Sequence, residues 1–312
     1  MQALAIILEA PRKLALAQLA LNEPTEADVV VDMEWSGIST GTEKLLWSGR
    51  MPHFPGMGYP LVPGYESIGR VVEAGPVSGR VVGERVFIPG ANCYREARGL
   101  FGGASSRVVI SGAKALPVHD GLGERGVLLA LAATAQHAVA PDTRKPPQLI
   151  VGHGVLGRLI ARIVVAHGGR PTVWETNPAR HGGAEGYDVV HPDDDDRRDY
   201  LRICDVSGDP DILDSLVAQL GRGGEIVLAG FYDQRLSFAF PMAFMREAKI
   251  RVAAEWRRND LIAVDEMIAQ GRLSLDGFIT HTEVPSRFDA AYTTAFTDPS
   301  CLKMVLDWRL AA

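Results

Sequence analysis

The sequence predicts an α/β protein of two domains, with a strand-rich, barrel-like front half and a doubly wound parallel sheet behind it. Three observations carry that prediction. Up to about Leu116 the chain alternates or runs apolar over short spans punctuated by Gly and Pro, as half-buried strands do. Beyond residue 149 strand-like runs alternate with helix-like ones, the pattern of a parallel sheet covered on both faces. Where the two patterns meet, Leu149-Ile150-Val151-Gly152-His153-Gly154-Val155-Leu156-Gly157 reads as a strand turning sharply into a helix.

Taken in order, strands are expected at residues 3–8, 29–34, 67–73, 85–88 and 107–110. Between the first of them lie Trp35 to Glu43 and then the irregular stretch 47–63, heavy in Gly, Pro, Met and aromatics. So few charges among so many large apolar groups point to a shaped binding rim more than to a disordered loop. Residues 123–138 are rich in Ala and Leu at helical spacing, and the prolines from Pro141 to Pro147 then break the chain, which marks a bridge between domains. After the glycine turn, residues 158–167 form a helix with apolar Leu159, Ile160, Ile163, Val164 and Val165, closed by Gly168-Gly169. Further strands follow at 171–175, 187–190, 203–206, 225–230 and 249–254, with helices at 211–220 and from Asp260 through Ile268, and closing segments at 273–281 and 302–308. The acidic run Asp193 to Asp196 is either a metal site or, more plainly, a solvated turn. No internal repeat is present.

The turn itself is chemically specific. Gly152 permits the tight bend, Gly154 lets the backbone approach a pyrophosphate, and Gly157 lets the helix lie against the strand. The anion would sit on the helix N-terminus beside Val155 and Leu156, where unpaired N–H groups and the helix dipole attract it. At His153 the backbone, and not the ring, is expected to matter. The next strand ends in Glu175, about 20 residues beyond the glycines, from where a carboxylate binds an adenosine ribose 2′-hydroxyl and repels a 2′-phosphate. That favours NAD. Thr176, Asn177 and Arg180 follow in the same loop, and Arg180 is either a partner that tolerates a phosphate or a solvated arginine. An ordinary strand-turn-helix with incidental glycines is the bland account, and the matching acid weighs against it.

At 312 residues with 46% hydrophobic content, the chain is long enough for two domains with their own cores. A net charge of -6 offers no basic footprint for nucleic acid. No apolar run is long enough to cross a bilayer, and Met1-Gln2-Ala3 leads into strand-like text instead of a basic leader, so a cytoplasmic protein without stable membrane insertion is expected. Cys93, Cys204 and Cys301 are too few and too scattered for a disulfide framework or a four-cysteine zinc loop.

Several phrases resemble the medium-chain dehydrogenase/reductase superfamily over nearly the whole chain. These are Gly37-Ile38-Ser39-Thr40-Gly41-Thr42-Glu43, Val62-Pro63-Gly64-Tyr65-Glu66, Val82-Gly83-Glu84-Arg85-Val86-Phe87, Ala133-Thr134-Ala135-Gln136-His137-Ala138 and Gly223 to Gly230. The resemblance implies a GroES-like catalytic domain at 1–121, a Rossmann NAD-binding domain at 122–262 and a return segment at 263–312 that completes the catalytic domain. It adds Thr134, Ser207 and Gly230 to the cofactor contacts, and implies pairing of two copies through the cofactor domain. Zinc-dependent members hold their metal with a Cys, a His and an acid or second Cys; here those positions fall on Ser39 or Thr40, on Tyr65 and near Ala130, which implies a zinc-free member. Within the superfamily, Glu34 to Glu43, Gly49-Arg50-Met51-Pro52, Phe54 to Pro60, Val173 to Arg180, Phe238-Ala239-Phe240-Pro241 and Cys301 to Trp308 resemble the bacteriochlorophyllide a dehydrogenases. That implies oxidation of a 3-(1-hydroxyethyl) side chain to 3-acetyl, with NAD⁺ taking the hydride.

Such a reaction needs the carbinol hydrogen aimed at the nicotinamide and a route for the hydroxyl proton. Ser39, Thr40 and Tyr65 are the expected relay, with Glu66 or His53 as terminal acceptor. Alternatively Tyr65 packs in the barrel and Glu66 pairs with an arginine such as Arg85. Trp47, Met51, Phe54, Met57 and Tyr59 would line a slot for a flat macrocycle, and Arg50 would meet its propionate. His53 is otherwise a ligand for the macrocycle magnesium or a surface histidine, and Lys303 either reaches the active site or sits on the surface. Two other functions fit the same cofactor motif: a zinc-free quinone or enone reductase, and a non-catalytic NAD-binding pigment carrier or sensor.

Overall fold

The structure, a computed structural model, describes residues 1–53, 55–140 and 145–310. Two compact units emerge: Met1–Ala130 with the chain from Phe278 onward, and Leu131–Gly277.

The first unit opens with a hairpin of β1 (Gln2–Ala10) and β2 (Lys13–Ala20). Then come β3 (Asp28–Ile38), α1 (Thr42–Ser48), β4 (Ser67–Ala74), β5 (Arg85–Ile88), β6 (Arg107–Ser111) and β7 (Leu116–Pro117). In the first part of β3 the buried Val31, Met33 and Trp35 alternate with half-buried Asp32 and Glu34, the period of a strand with one face on a core. Its last four residues are all buried.

The second unit is built from most of α2 (Leu129–Val139), then β8 (Leu149–Val151), α3 (Val155–Ala166), β9 (Thr172–Trp174), β10 (Asp188–Val190), β11 (Tyr200–Asp205), α4 (Leu213–Gln219), β12 (Leu220–Leu228), α5 (Phe240–Arg246), β13 (Lys249–Val252) and α6 (Arg258–Ala269). Its sheet runs β10-β9-β8-β11-β12-β13 with every pairing parallel. β8, flanked on both sides and wholly buried, is apolar throughout, as a central parallel strand must be.

The chain then re-enters the first unit as β14 (Ile279–Glu283), α7 (Phe288–Thr297) and β15 (Lys303–Asp307). β15 pairs antiparallel with the end of β3, Val305 opposite Gly37, and side chains cover that end: Glu66 and Val127 lie against Gly37, and the Trp308 indole donates to Ser36 at 2.8 Å. Together these strands give the order β14-β15-β3-β4-β5-β7, with β6 also on β3.

The two-domain α/β architecture is the expected one, but several boundaries shift for physical reasons. Residues 123–138 are not one helix: a 3₁₀ segment at Asp120–Leu128 is broken at Gly123 (φ 53°) before α2 begins. Gly126 holds that segment to the first unit, since a Cβ there would stand 2.6 Å from the Ile68 side chain. The crossing back lies at Phe278 instead of residue 263, because Arg162 donates to the Ser274 and Asp276 carbonyls at 3.0 and 2.8 Å and keeps that turn with the second unit. β2, α1, α5 and α7 were not anticipated. In the acidic run, Asp195 accepts hydrogen bonds from the Trp174 indole and the Tyr200 hydroxyl, both at 2.7 Å, which makes it a structural pin.

Candidate active and cofactor sites

In the first unit β3 and β4 lie side by side and antiparallel, so the residues after one and before the other are brought together. The Ser39 Oγ and Tyr65 hydroxyl are 2.7 Å apart. The side chain of Thr42, at the start of α1, also hydrogen-bonds the Tyr65 hydroxyl. Burial, reinforced by the neighbouring Glu66 charge, pushes the Tyr65 pKa well above the usual tyrosine value, so the phenol stays protonated. Thr40, by contrast, is exposed.

Glu66 is fully buried, and its Oε2 accepts from the Lys303 ammonium at 2.6 Å. Lys303 also donates to the Ile38 carbonyl at 3.2 Å. Gly37 is required beside this pair, because a Cβ there would stand 2.7 Å from Glu66 Oε2. The expected Glu66–Arg85 pair does not form: Arg85 instead meets Glu34 at 2.8 Å and lies over the Trp35 ring. Nor is Lys303 on the surface; β15 delivers it from the far end of the sequence into the barrel beside β3. The other Glu66 oxygen, Oε1, is buried without a hydrogen-bond partner among the described residues.

Sequence reasoning missed Thr42, Glu43 and Tyr292 as parts of this cluster, and left Lys303 open between the active site and the surface. Glu43, buried on α1, accepts from the Ser39 N–H at 3.2 Å and from the Tyr292 hydroxyl of α7 at 3.0 Å. Burial, then the charge of Glu66, pushes its pKa up to about 8. It therefore ties the turn carrying Ser39 to the return segment. The only advance signal was its place in the Gly41-Thr42-Glu43 phrase.

The side chains here do not fit a catalytic zinc, which needs thiolate, imidazole or free carboxylate donors. The matching positions offer the hydroxyls of Ser39 and Tyr65 and the methyl of Ala130, while Glu66 is tied to Lys303. Among the described residues no three or more His, Cys, Asp or Glu side chains lie together as ligands.

The stretch after α1 is packed. Backbone N–H groups of Arg50 and Met51 bond to the Leu45 carbonyl and fold the chain back, so Met51 is buried with Leu8, Leu46 and Leu61. Met51 is thus core and not slot lining. Trp47, Met57 and Tyr59 are half-buried against that cluster; Tyr59 donates to the Leu46 carbonyl and Trp47 lies 5.5 Å from the Phe296 ring. Arg50 and His53 are exposed, and no hydrogen bond or ion pair joins His53 to Tyr65 or Glu66. Phe54 lies outside the described residues.

In the second unit the glycine turn has the expected form. Gly152 sits at φ 102°, and a Cβ on Gly157 would fall 1.8 Å from the Gly152 carbonyl oxygen. Gly154 is the N-cap of α3, with open space where a Cβ would stand. No side chain caps this helix, so the N–H groups at Val155 and Leu156 face an opening able to take a phosphate. Glu175 accepts from the His153 N–H at 3.1 Å and the Asn177 N–H at 2.8 Å, which fixes its carboxylate beside the turn with lone pairs to spare for ribose hydroxyls. These residues fit a dinucleotide.

At His153, for which only the backbone was expected to matter, the ring is not exposed: it is fully buried and bonded at both nitrogens, to the Arg180 carbonyl at 2.6 Å and the Tyr187 hydroxyl at 2.8 Å. Asn177 caps the short turn that includes Arg180, and Thr176 is exposed. Ser207 donates its N–H to Asp205, and Gly230 lies beside Tyr232, whose hydroxyl donates to the same buried carboxyl. Thr134 is half-buried on α2.

Residues 25–120 match the family model of the alcohol dehydrogenase GroES-like domain. The chain is 54% identical to the 2-desacetyl-2-hydroxyethyl bacteriochlorophyllide A dehydrogenase of Cereibacter sphaeroides, covering 100% of both chains. It is likewise 54% identical to the protein of that name from Rhodobacter capsulatus, covering 99% of each. Among solved structures it is similar to 2R,3R-butanediol dehydrogenase from Bacillus subtilis, with TM-score 0.85 and 20% identity over 98% of this chain and 99% of that one. It is also similar to L-idonate 5-dehydrogenase from Escherichia coli, with TM-score 0.86 and 17% identity over 98% of each. At such identities the structural likeness establishes the fold.

Proposed function

Since the chain belongs to the medium-chain dehydrogenase/reductase family, in the branch of the 2-desacetyl-2-hydroxyethyl bacteriochlorophyllide A dehydrogenases, we propose that it oxidises the ring 3-(1-hydroxyethyl) group of a bacteriochlorophyllide to 3-acetyl, using NAD⁺ and no zinc. The observation that carries this reading is 54% identity sustained over the full length of both chains. It favours alcohol oxidation over the quinone or enone reductase and the non-catalytic carrier, neither of which has a relative of comparable identity in its support.

When bound, the dinucleotide supplies the hydride acceptor. Gly152, Gly154 and Gly157 with the free N–H groups of α3 hold its pyrophosphate, and Glu175 takes an adenosine ribose hydroxyl. In the first unit the hydroxyls of Tyr65, Ser39 and Thr42 hold the reacting oxygen and pass its proton along. Tyr65 does so as a neutral relay, because its raised pKa forbids a phenolate at neutral pH. Glu66 is inferred as the final acceptor: its Oε2 is held by Lys303, and its Oε1 has no hydrogen-bond partner among the described residues. His53 is exposed and has no part in this reading. In this reading Trp47, Met57 and Tyr59, half-buried against one apolar cluster, form a wall for the macrocycle, and Arg50 meets a propionate.

The partner we infer is a second copy. β13 is the edge of its sheet, and beside it Phe240, Phe244, Met245, Ile250 and Val252 are exposed together. An unpaired strand edge flanked by apolar side chains is a surface that pairs.

The test is to mix the purified protein with NAD⁺ and a 3-(1-hydroxyethyl) bacteriochlorophyllide. Stoichiometric NADH and a red-shifted pigment band are expected, since the new carbonyl conjugates with the ring. No acetyl product with either NAD⁺ or NADP⁺ would overturn the proposal.

A further inference from the structure

His153 occupies an unusual position: it lies between two glycines whose backbone must stay open, yet every polar group it has is committed. Its N–H donates to Glu175 at 3.1 Å and its carbonyl accepts from Arg158 Nε at 3.0 Å. Its Nδ1 is 2.6 Å from the Arg180 carbonyl and its Nε2 is 2.8 Å from the Tyr187 hydroxyl. A carbonyl can only accept, so Nδ1 carries the proton. In a neutral ring Nε2 is then an acceptor, and Tyr187 donates to it. Burial keeps the ring neutral by lowering its pKa to about 4, and Tyr187 meets it edge-on at 5.6 Å.

The same bonds reach the acid loop. The Arg180 carbonyl also accepts from Arg158 at 3.0 Å, and the His181 ring bonds to the Glu175 carbonyl at 2.8 Å. Asn177 closes the inner turn by bonding Glu175 Oε1 and accepting from Ala179. Residues 175–181 thus form a closed loop tied to the glycine turn at Glu175 by the His153 backbone and at Arg180 by the His153 ring, with Arg158 bonding the same Arg180 carbonyl. Freed from the ring, the Arg180 end would be held by Arg158 alone.

We propose that His153, with Tyr187 as its second anchor, is a positioning residue for the adenosine half of the dinucleotide, holding the loop 175–181 at the height from which Glu175 meets the ribose. This rests on the reading that the turn binds a nicotinamide dinucleotide. It assigns work to a ring that the glycine motif leaves unspecified, and it separates two halves of cofactor recognition. The pyrophosphate is held by backbone N–H groups that the ring does not touch, whereas the adenosine side depends on it.

The experiment is calorimetric titration of the full-length chain with NAD⁺, ADP-ribose and nicotinamide mononucleotide. Tyr187→Phe keeps the ring contact and removes one hydrogen bond; His153→Asn keeps a donor near the Nδ1 position, and His153→Leu keeps neither. Affinity for NAD⁺ and ADP-ribose is expected to fall roughly tenfold in Tyr187→Phe and more in His153→Leu, with His153→Asn between wild type and Leu, the scale of one or two lost buried hydrogen bonds. Affinity for nicotinamide mononucleotide, which lacks the adenosine half, should not move. Variants that melt earlier yet bind ADP-ribose as the wild type does would overturn the inference, because they would show a purely structural role. A wild-type chain that binds neither NAD⁺ nor ADP-ribose would overturn the dinucleotide reading, and this inference with it.

Discussion

The Lys303 ammonium stands 2.6 Å from the Glu66 carboxylate although 237 residues separate them, and neither side chain reaches solvent. Burying two charges is costly, and the pair persists only because each neutralises the other and Lys303 has the Ile38 carbonyl as well. Lys303→Met should therefore cost about 3–5 kcal/mol at neutral pH, the penalty of an orphaned buried charge. Urea denaturation of the two proteins at pH 7 measures this, and a loss below about 1 kcal/mol would show that Glu66 is not left bare.

Glu43 makes a pH-dependent contribution, of known sign. Its pKa rises from 4.5 to about 8, first through burial and then through the charge of Glu66, with Lys303 opposing. The folded state therefore holds a proton that the unfolded chain gives up, so this contribution is complete below pH 4.5 and disappears as pH climbs through 8. Glu43→Gln, which still accepts from Ser39 and can donate to Tyr292, should match wild type near pH 5 and melt above it at pH 9. Parallel melting curves for the two across that range would contradict the assignment.

What the sequence made legible and what it hid follow from how far each feature reaches. Gly152, Gly154, Gly157 and Glu175 act within one strand-turn-helix-strand unit, so spacing alone exposes them. Ser39, Tyr65 and Glu66 were located through phrases typical of a family; the structure joins Ser39 to Tyr65 and Glu66 to Lys303. Tyr292 could not be found in this way and Lys303 stayed open between site and surface, because both enter the first unit on the return segment, and only the pairing of β15 with β3 shows that a lysine heading an apolar strand is buried. The close approach of Gly126 to Ile68 and the burial of Met51 by the fold-back onto Leu45 are likewise contacts that spacing does not show. Helix α1 is too short for periodicity to reveal, and the His153 ring was discounted because the glycine motif speaks only of backbone.

Tyr65→Phe deletes the hydroxyl that joins Ser39 and Thr42 while keeping the ring that packs 5.1 Å from Phe101. If that hydroxyl relays the substrate proton, kcat should fall by about 10²–10⁴-fold with KM for the pigment little changed. Because the phenol's pKa lies well above the usual value, wild-type activity should show no alkaline limb from this group near pH 10. Steady-state kinetics from pH 6 to pH 10 tests both statements, and an unchanged kcat would remove Tyr65 from the reaction.

Metal removal gives an independent check on the same chemistry. With hydroxyls at Ser39 and Tyr65, and Glu66 tied to Lys303, prolonged treatment with a zinc chelator should leave turnover within about twofold, whereas loss of a Lewis acid would cost several kcal/mol of barrier. Activity abolished by chelation and restored by zinc would reverse the zinc-free reading.

The exposed apolar face of the second unit leads to the last expectation. Phe240, Phe244 and Met245 on α5 and Ile250 on β13 line one surface depression, and among the described residues β13 is the edge of its sheet. Apolar side chains this large, crowded along a strand edge, favour association with a like surface, and an edge on a two-fold axis can pair with itself. Substituting Phe244→Glu places a charge at the centre of that face and should weaken self-association about 30-fold or more, the scale of losing one anchoring side chain. Analytical ultracentrifugation should then find a dimer for the wild type and a concentration-dependent monomer for the variant. NAD⁺ binding should be retained, because the residue is remote in sequence from the glycine turn and from Glu175. A wild-type chain that sediments as a monomer at every concentration would leave that face to a different partner.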